Sequence, residues 1–322
     1  MTTYDIVTLT ANPSLDRTLE LSGVLRRGEV QRAAASRAEP GGKGVNVSRV
    51  AAEAGVPTLA VLPGRAGDPL LSALDTVGLP YRTTAVDGEI RSNLTIAEPD
   101  GTTTKINAPG VPLDADQARG LADLLIDHAA AASWVALCGS LPQGLPDDWY
   151  RTLLDRLADL PCRVAVDTSG APLVAAAAGR SDLVKPNDEE LAEVTGADPA
   201  ALKAAAAAGD LAPIVAAASE LSARTGGAVL ATLGAAGAVL TTGSGSWAAT
   251  PPPTVTRSTV GAGDSSLAGY VLAALRGESE PDRLRSAVAY GAAAAGLAGT
   301  QPPAPDLLDL DHVVLTELAT TR

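Results

Sequence analysis

"TVGAGDSSLAGY", Thr259 to Tyr270, is the stretch from which the rest of the chain is read. After Asp264 the apolar residues Leu267, Ala268, Val271, Leu272 and Leu275 recur at helical spacing, which predicts a helix with a buried face. Two glycines and one carboxylate therefore stand at a helix N-terminus. The first N–H groups there have no intrahelical partner and the macrodipole is positive, so Gly261 and Gly263 open the backbone to an anionic ligand. An ionised Asp264 beside such a cradle is placed to take a proton from an attacking hydroxyl. The same residues also fit an ordinary glycine turn with Asp as helix N-cap. A dinucleotide-binding fingerprint is excluded, because G-x-G-x-x-G needs glycine where the chain has Ser266.

Upstream, short apolar runs alternate with helical ones. Strands are predicted at 6–10, 59–62, 134–138, 163–167, 182–185, 228–233 and 238–242, and helices at 43–54, 67–77, 115–132, 146–159, 188–195 and 213–224. This is the βαβ rhythm of a parallel sheet covered on both faces, an α/β fold. Residues 17–37 and 91–107 break the rhythm and read as antiparallel ribbons, the second turning at "EPDG". Together they are expected to form a small sheet over the mouth of the main one, a lid that excludes water. At 322 residues and 46% hydrophobic content, one domain spanning 1–322 accommodates everything.

A net charge of −13 speaks against nucleic-acid or membrane partners, so any positive charge for an anionic ligand must be local. Cys138 and Cys162 form no C-x-x-C pair and read as core thiols. The first residues lack a leader pattern and no apolar run approaches membrane-spanning length, so a cytoplasmic location is expected. The chain has two histidines, His128 near a helix end and His312 in the tail. That pattern argues against a His-rich metal site and a His-dependent triad, leaving carboxylates, Lys/Arg, backbone amides and a loosely held cation.

Three further motifs ask for related chemistry. "EPGGKGVNVSRVAAEAG", Glu39 to Gly55, again sets glycines before a helix, but Lys43 is followed by Gly44 and not by Ser or Thr, so it is not a Walker A loop. In "LVKPNDEELAEVTG", Leu183 to Gly196, Asn187 and Glu190 fit a capping box, and they equally fit a face that holds the water shell of magnesium. "ATLGAAGAVL" is a strand, a turn and a strand: a plain hairpin, or a place where Gly234 and Gly237 let a nucleotide lie against the backbone. Two anion cradles, a carboxylate base, a magnesium face and a lid in one chain describe phosphoryl transfer.

"NPSLDRT" at 12–18, "PGGKGVNVSR" at 40–49, "CGSLP" at 138–142, "VKPNDEEL" at 184–191, "TLGAAGA" at 232–238 and "VGAGDSSLAG" at 260–269 together resemble the ribokinase-like (PfkB) carbohydrate kinases over nearly the whole chain. The resemblance implies a three-layer α/β/α fold with a mostly parallel central sheet and a small β-sheet lid, through which such proteins pair as homodimers. It implies ATP and Mg2+ as cofactors. Asp264 becomes the base, with the amides of Gly261, Ala262 and Gly263 as anion hole. Asp16, Gly42 and Asn46 are expected on the sugar hydroxyls. Lys185, Asn187, Thr232, Gly234 and Gly237 are expected along the nucleotide, with Asn187 and Glu190 serving magnesium through water. Within the family the chain is most similar to the phosphosugar kinases. Lys43, Arg91, Lys105, Arg26 and Arg27 are then the cations for the phosphate already on the substrate, with Asn93 and Ser140 as further hydrogen-bond donors. The resemblance makes fructose 1-phosphate, phosphorylated on its 6-hydroxyl, the expected substrate. Fructose 6-phosphate and tagatose 6-phosphate stay open, since either end of a ketohexose presents similar charge. A non-catalytic sugar-phosphate-binding regulator is the alternative of another class.

Overall fold

The computed structural model describes residues 3–318. The chain opens with β1 (Ile6–Thr10), β2 (Ser14–Leu21), β3 (Ala33–Gly41), α1 (Lys43–Glu53), β4 (Thr58–Pro63), α2 (Pro69–Thr76), β5 (Tyr81–Thr84), β6 (Ser92–Ala97) and β7 (Thr103–Ile106). It continues with α3 (Ala115–Ala129), β8 (Trp134–Cys138), α4 (Trp149–Leu157), β9 (Arg163–Asp167), α5 (Ala171–Ala176), β10 (Leu183–Val184), α6 (Asp188–Thr195), α7 (Pro199–Ala208) and α8 (Ala212–Thr225). It closes with β11 (Ala228–Thr232), β12 (Ala238–Thr241), β13 (Ser246–Thr250), α9 (Ala262–Leu275), α10 (Glu280–Ala295) and β14 (Val314–Leu318).

Ten strands form one sheet in the order β14-β13-β12-β11-β10-β9-β8-β1-β4-β5. From β11 to β5 every neighbouring pair is parallel, and β12, β13 and β14 add an antiparallel edge. Burial on both faces explains why β8 reads as an unbroken apolar run and why β1 carries no charged residue. Along β1 the sides alternate: Val7 and Leu9 enter the layer formed with α2, α3 and α4, whereas Ile6 packs with α1, α9 and α10. Thr8 also faces α1, its hydroxyl bonded to Ser48 at 2.8 Å. Strand order reverses between β8 and β1, and in sheets of this kind ligands bind outside the carboxyl ends of the strands at such a switch.

The small sheet has the order β3-β2-β6-β7. Its two hairpins are antiparallel, as the ribbons were read, but they are joined by a parallel pair, with Leu15 opposite Ser92 and Glu20 opposite Ala97. The cause is topological. β1 and β5 run parallel in the large sheet, so the chain leaves both in the same direction, and β2 and β6 inherit it.

Several elements were not foreseen. α5, α7 and α10 are rich in alanine, whose weak hydrophobicity leaves little periodicity to read. β5 ("YRTT") and β14 ("VLTEL") are polar edge strands, and β13 ("SWAAT") pairs with β14 near that edge. The 182–185 strand shrinks to Leu183–Val184, which places Lys185 just beyond the sheet.

Candidate active site

Four strand ends and two helix starts converge at the switch. β1 leads through Asn12 to the small sheet, β3 ends at Gly41 beside the start of α1, β9 ends at Asp167, and Lys185 follows β10. α9 begins at Ala262 with Gly261 as N-cap in the left-handed region (φ 78°), so Asp264 lies inside the first turn and makes no cap hydrogen bond. That removes the N-cap account of this carboxylate.

Asp264 is buried, and the side-chain amide of Asn46 on α1 donates to its Oδ2 at 2.8 Å. Burial, and then the charge of Asp167, push its carboxyl up to about 6, while Lys43, Asn46 and Lys185 act in the opposite direction. It is mostly ionised at neutral pH and titrates near it, which suits a general base.

Asp167, which the motif reading passed over, is the electrostatic centre of the site. It is fully buried, and its two oxygens meet two ammonium groups, Lys43 at 2.7 Å and Lys185 at 3.0 Å. Burial alone would raise its pKa, yet Lys185 and Lys43 outweigh burial and hold it below the ordinary carboxylate value. Lys43 shows the mirror image: burial would lower its pKa, but Asp167, Glu190 and Asp264 raise it, so it stays charged. Lys185 is buried and its Nζ lies over the α9 entrance, where a β-carbon on Gly263 would come within 3.4 Å of it. Lys43, expected on the substrate phosphate, sits within this cluster, 3.9 Å from Glu190 Oε1 and with a third of its side chain exposed. The one local sign of Asp167 was an apolar strand, "RVAVD", that ends in a carboxylate.

At the start of α6 both accounts of Asn187 and Glu190 meet. The capping box is formed, with Asn187 Oδ1 accepting from the Glu190 amide at 2.7 Å and Glu190 Oε2 accepting from the Asn187 amide at 2.9 Å. Glu190 Oε1 is left facing Lys43. Thr232, at the end of β11, bridges to Asn187, and Gly234 opens a short 3-10 turn that Gly237 closes. Gly237 is required there, since its φ is 96° and a side chain would run into the Ala249 carbonyl.

On the small-sheet side, Asp16 Oδ1 accepts from Ser14 Oγ at 2.7 Å and from Asn93 Nδ2 at 3.0 Å. Ser140 accepts from Asn12 Nδ2 at 3.2 Å. Gly42, with φ 105°, lies against Thr10 and Pro13, where a β-carbon would come within 2.7 Å of Thr10 Cγ2. Arg91 spends three donors on backbone carbonyls, those of Asn12 at 3.0 Å, Ala108 at 3.1 Å and Pro13 at 3.3 Å. Burial lowers its pKa, partly offset by Asp16. Each terminal nitrogen keeps one N–H for another partner. Lys105 is exposed on β7, and Arg26 is exposed and paired with Glu29 at 2.6 Å in the β2–β3 loop that also carries exposed Arg27. None of these three joins the lysine–carboxylate cluster. Cys138 and Cys162 are buried free thiols. Among the described residues no group of three His, Cys, Asp or Glu side chains is arranged to hold a metal, and no helix is long and apolar enough to cross a membrane.

Residues 9–307 match the profile of the pfkB family carbohydrate kinases. A 1-phosphofructokinase from Rhodobacter capsulatus is 36% identical over 95% of this chain and 95% of its own length. ATP-dependent 6-phosphofructokinase isozyme 2 of Escherichia coli is 33% identical, covering 92% of this chain and 94% of that one. The crystal structure of phosphofructokinase-2 from Escherichia coli in complex with substrates and products superposes with a TM-score of 0.84 at 31% identity, over 94% of this chain and 96% of that one.

Proposed function

The chain belongs to the pfkB family of carbohydrate kinases, and from that premise we propose that it acts as a 1-phosphofructokinase, passing the ATP γ-phosphate to the 6-hydroxyl of fructose 1-phosphate. The observation that carries this proposal is Asp264: a buried, ionisable carboxylate inside a glycine-started helix turn, with Lys43 and Lys185 close enough to shift its titration.

The hydroxyl proton passes to Asp264 Oδ1, the oxygen Asn46 leaves free, as the sugar oxygen bonds to the γ-phosphorus and the bridging bond to ADP breaks. Because the transferring group carries charge on its equatorial oxygens, most of the catalysis is positioning and neutralisation. The amides of Gly261, Ala262 and Gly263 point out of the helix end toward that charge. Lys185 and Lys43 supply fixed positive charge, and Asp167 keeps both ammonium groups in place. Asp16, Asn93 and Gly42 face the sugar, and Thr232, Gly234 and Gly237 line the nucleotide.

Magnesium, when bound with the nucleotide, would add a further counter-charge for the phosphates. With no three-ligand cage among the described residues, these side chains suit an ion that brings its own waters. The capping box occupies Asn187 Oδ1 and Glu190 Oε2, so Glu190 Oε1 would be the acceptor for that water shell, with Asn187 holding Glu190 in position.

We take the 322 residues as one kinase domain whose lid, expected from about 17–37 and 91–107, is built from β2 and β3 (Ser14–Leu21 and Ala33–Gly41) and from β6 and β7 (Ser92–Ala97 and Thr103–Ile106). Val24, Leu25, Val30 and Ile106 are exposed on the small sheet and its loop, which supports pairing of two copies through it; sedimentation of a Val30→Asp variant as a monomer is the expected check. The function is tested by ADP release with MgATP and fructose 1-phosphate, fructose 6-phosphate, tagatose 6-phosphate or fructose, comparing kcat/KM. Preference for a 6-phosphate would keep the kinase and reverse the sugar. Tight sugar-phosphate binding without ADP release would replace the kinase by a regulator.

A further inference from the structure

Away from the reacting groups, one charged side chain is buried at a junction. Arg49, on the α1 face behind Asn46, is 7% exposed. Its Nη1 donates to the Pro40 carbonyl and to Thr300 Oγ1, both at 3.1 Å, and its Nη2 meets Glu39 Oε1 at 3.2 Å. Glu39 Oε2 in turn accepts from the Thr300 amide at 3.4 Å, and a β-carbon on Gly299 would come within 2.7 Å of that oxygen. A buried guanidinium with a carboxylate and two neutral acceptors is a satisfied arrangement, and one that hydrophobic packing of equal volume could replace as far as stability is concerned.

What the arrangement joins is specific. Glu39 and Pro40 end the strand that connects the small sheet to the Gly42 turn. Thr300 belongs to the turn after α10, and a β-carbon on Gly261 would lie 3.9 Å from it. The last residue of α10 also holds the approach to that glycine, since the Ala295 carbonyl accepts from the Arg257 amide at 2.8 Å and the Ser258 amide at 3.2 Å. One guanidinium therefore ties together the exit of the small sheet, the helix carrying Lys43 and Asn46, and the backing of the 259–263 loop.

We propose that Arg49, acting through Glu39 and Thr300, is a positioning residue that sets the anion-hole amides against Asp264 and the sugar-facing turn at 41–42. This rests on the kinase function proposed above. A lysine cannot reproduce it, because one ammonium does not reach three acceptors that are spread over two guanidinium nitrogens. Displacing an amide loop by a fraction of an ångström weakens an interaction made in the transition state more than one made in the ground state.

The test uses the full-length enzyme with MgATP and whichever phosphosugar the wild type turns over best. That choice separates the two ideas: a wild type inactive on every sugar refutes the kinase, and an active one lets Arg49 be judged alone. In Arg49→Lys, Glu39→Gln and Thr300→Val, kcat is expected to fall about 10- to 100-fold, with KM for both substrates and the dissociation constant for ATP within about twofold of wild type. The Glu39→Gln/Thr300→Val double variant should lose less than the product of the single losses, because both act through one guanidinium. Thr300→Val, which removes one hydroxyl, keeps the test open where Arg49→Lys fails to fold. Unchanged kcat in Thr300→Val and Glu39→Gln overturns the proposal, as does a rise in KM alone or strict multiplicativity in the double variant.

Discussion

Replacing Asp264 with Asn should make the protein both inactive and more stable. The folded chain holds this carboxyl at about 6 against an ordinary 3.8, chiefly because it is buried and secondarily because Asp167 is near. The folded state thus binds the proton more tightly than the unfolded chain does, so above about pH 6 the ionised carboxylate opposes folding. A shift of roughly two units corresponds to about 3 kcal/mol. The penalty fades as pH falls from about 6 to 4, where the group is protonated in both states. Asn keeps the shape and can still meet Asn46 through its carbonyl, and it carries no charge to desolvate. For a chain of this length that is a rise in Tm of about 4 °C at pH 8, with little difference from wild type at pH 4. Turnover should fall by about 10²- to 10⁴-fold for loss of a general base, while ATP binding is retained. Calorimetric unfolding at both pH values, paired with ADP-release kinetics and ATP titration, gives all the quantities. An Asn variant that is no more stable than wild type at pH 8 would refute the claim that the fold strains this carboxylate for function, and substantial residual kcat would refute its role as base.

The acid limb of kcat/KM should reflect the same group, with activity near pH 5 about tenfold below the plateau; Asn46→Ala removes a hydrogen bond to the ionised form and should move that limb upward. Asp167→Asn takes the carboxylate partner from the buried Lys185 and the half-buried Lys43, so denaturant unfolding at pH 7 should show a loss of about 3–5 kcal/mol. Because the Asp167 pKa is lowered in the fold, that difference should shrink as pH drops below the ordinary carboxylate range, and a pH-independent loss would point to packing instead. Arg91→Ala should raise KM for the phosphosugar more than for ATP and also lower Tm, since three backbone carbonyls lose their donor; a larger effect on ATP would place Arg91 elsewhere.

Much of the organisation was legible because it is local. The helix after "VGAGD", the glycine before α1 and the Asn187–Glu190 box follow from short-range spacing and from which backbone groups a helix end leaves unpaired. Even there the two accounts of Asn187 could not be separated, since only the folded chain brings Lys43 beside the Glu190 oxygen that the capping box leaves unused. The parallel pairing of β2 with β6 was not legible, because it depends on the shared direction of β1 and β5 in a different sheet. Asp167 and Arg49 were missed for a related reason: a carboxylate ending a strand and an arginine on a helix look ordinary in sequence.

The sequence by itself determined the types of the strongly periodic elements, the two glycine-opened helix starts and the candidate base, since these depend on residues within a few positions of one another. Only the tertiary structure decided which charges share a volume. Lys43 and Asp167 lie 124 positions apart, and Asn46 and Asp264 lie 218 apart. They meet because parallel strands bring their carboxyl ends to one edge of the sheet, where burial strengthens each charge's hold on the next.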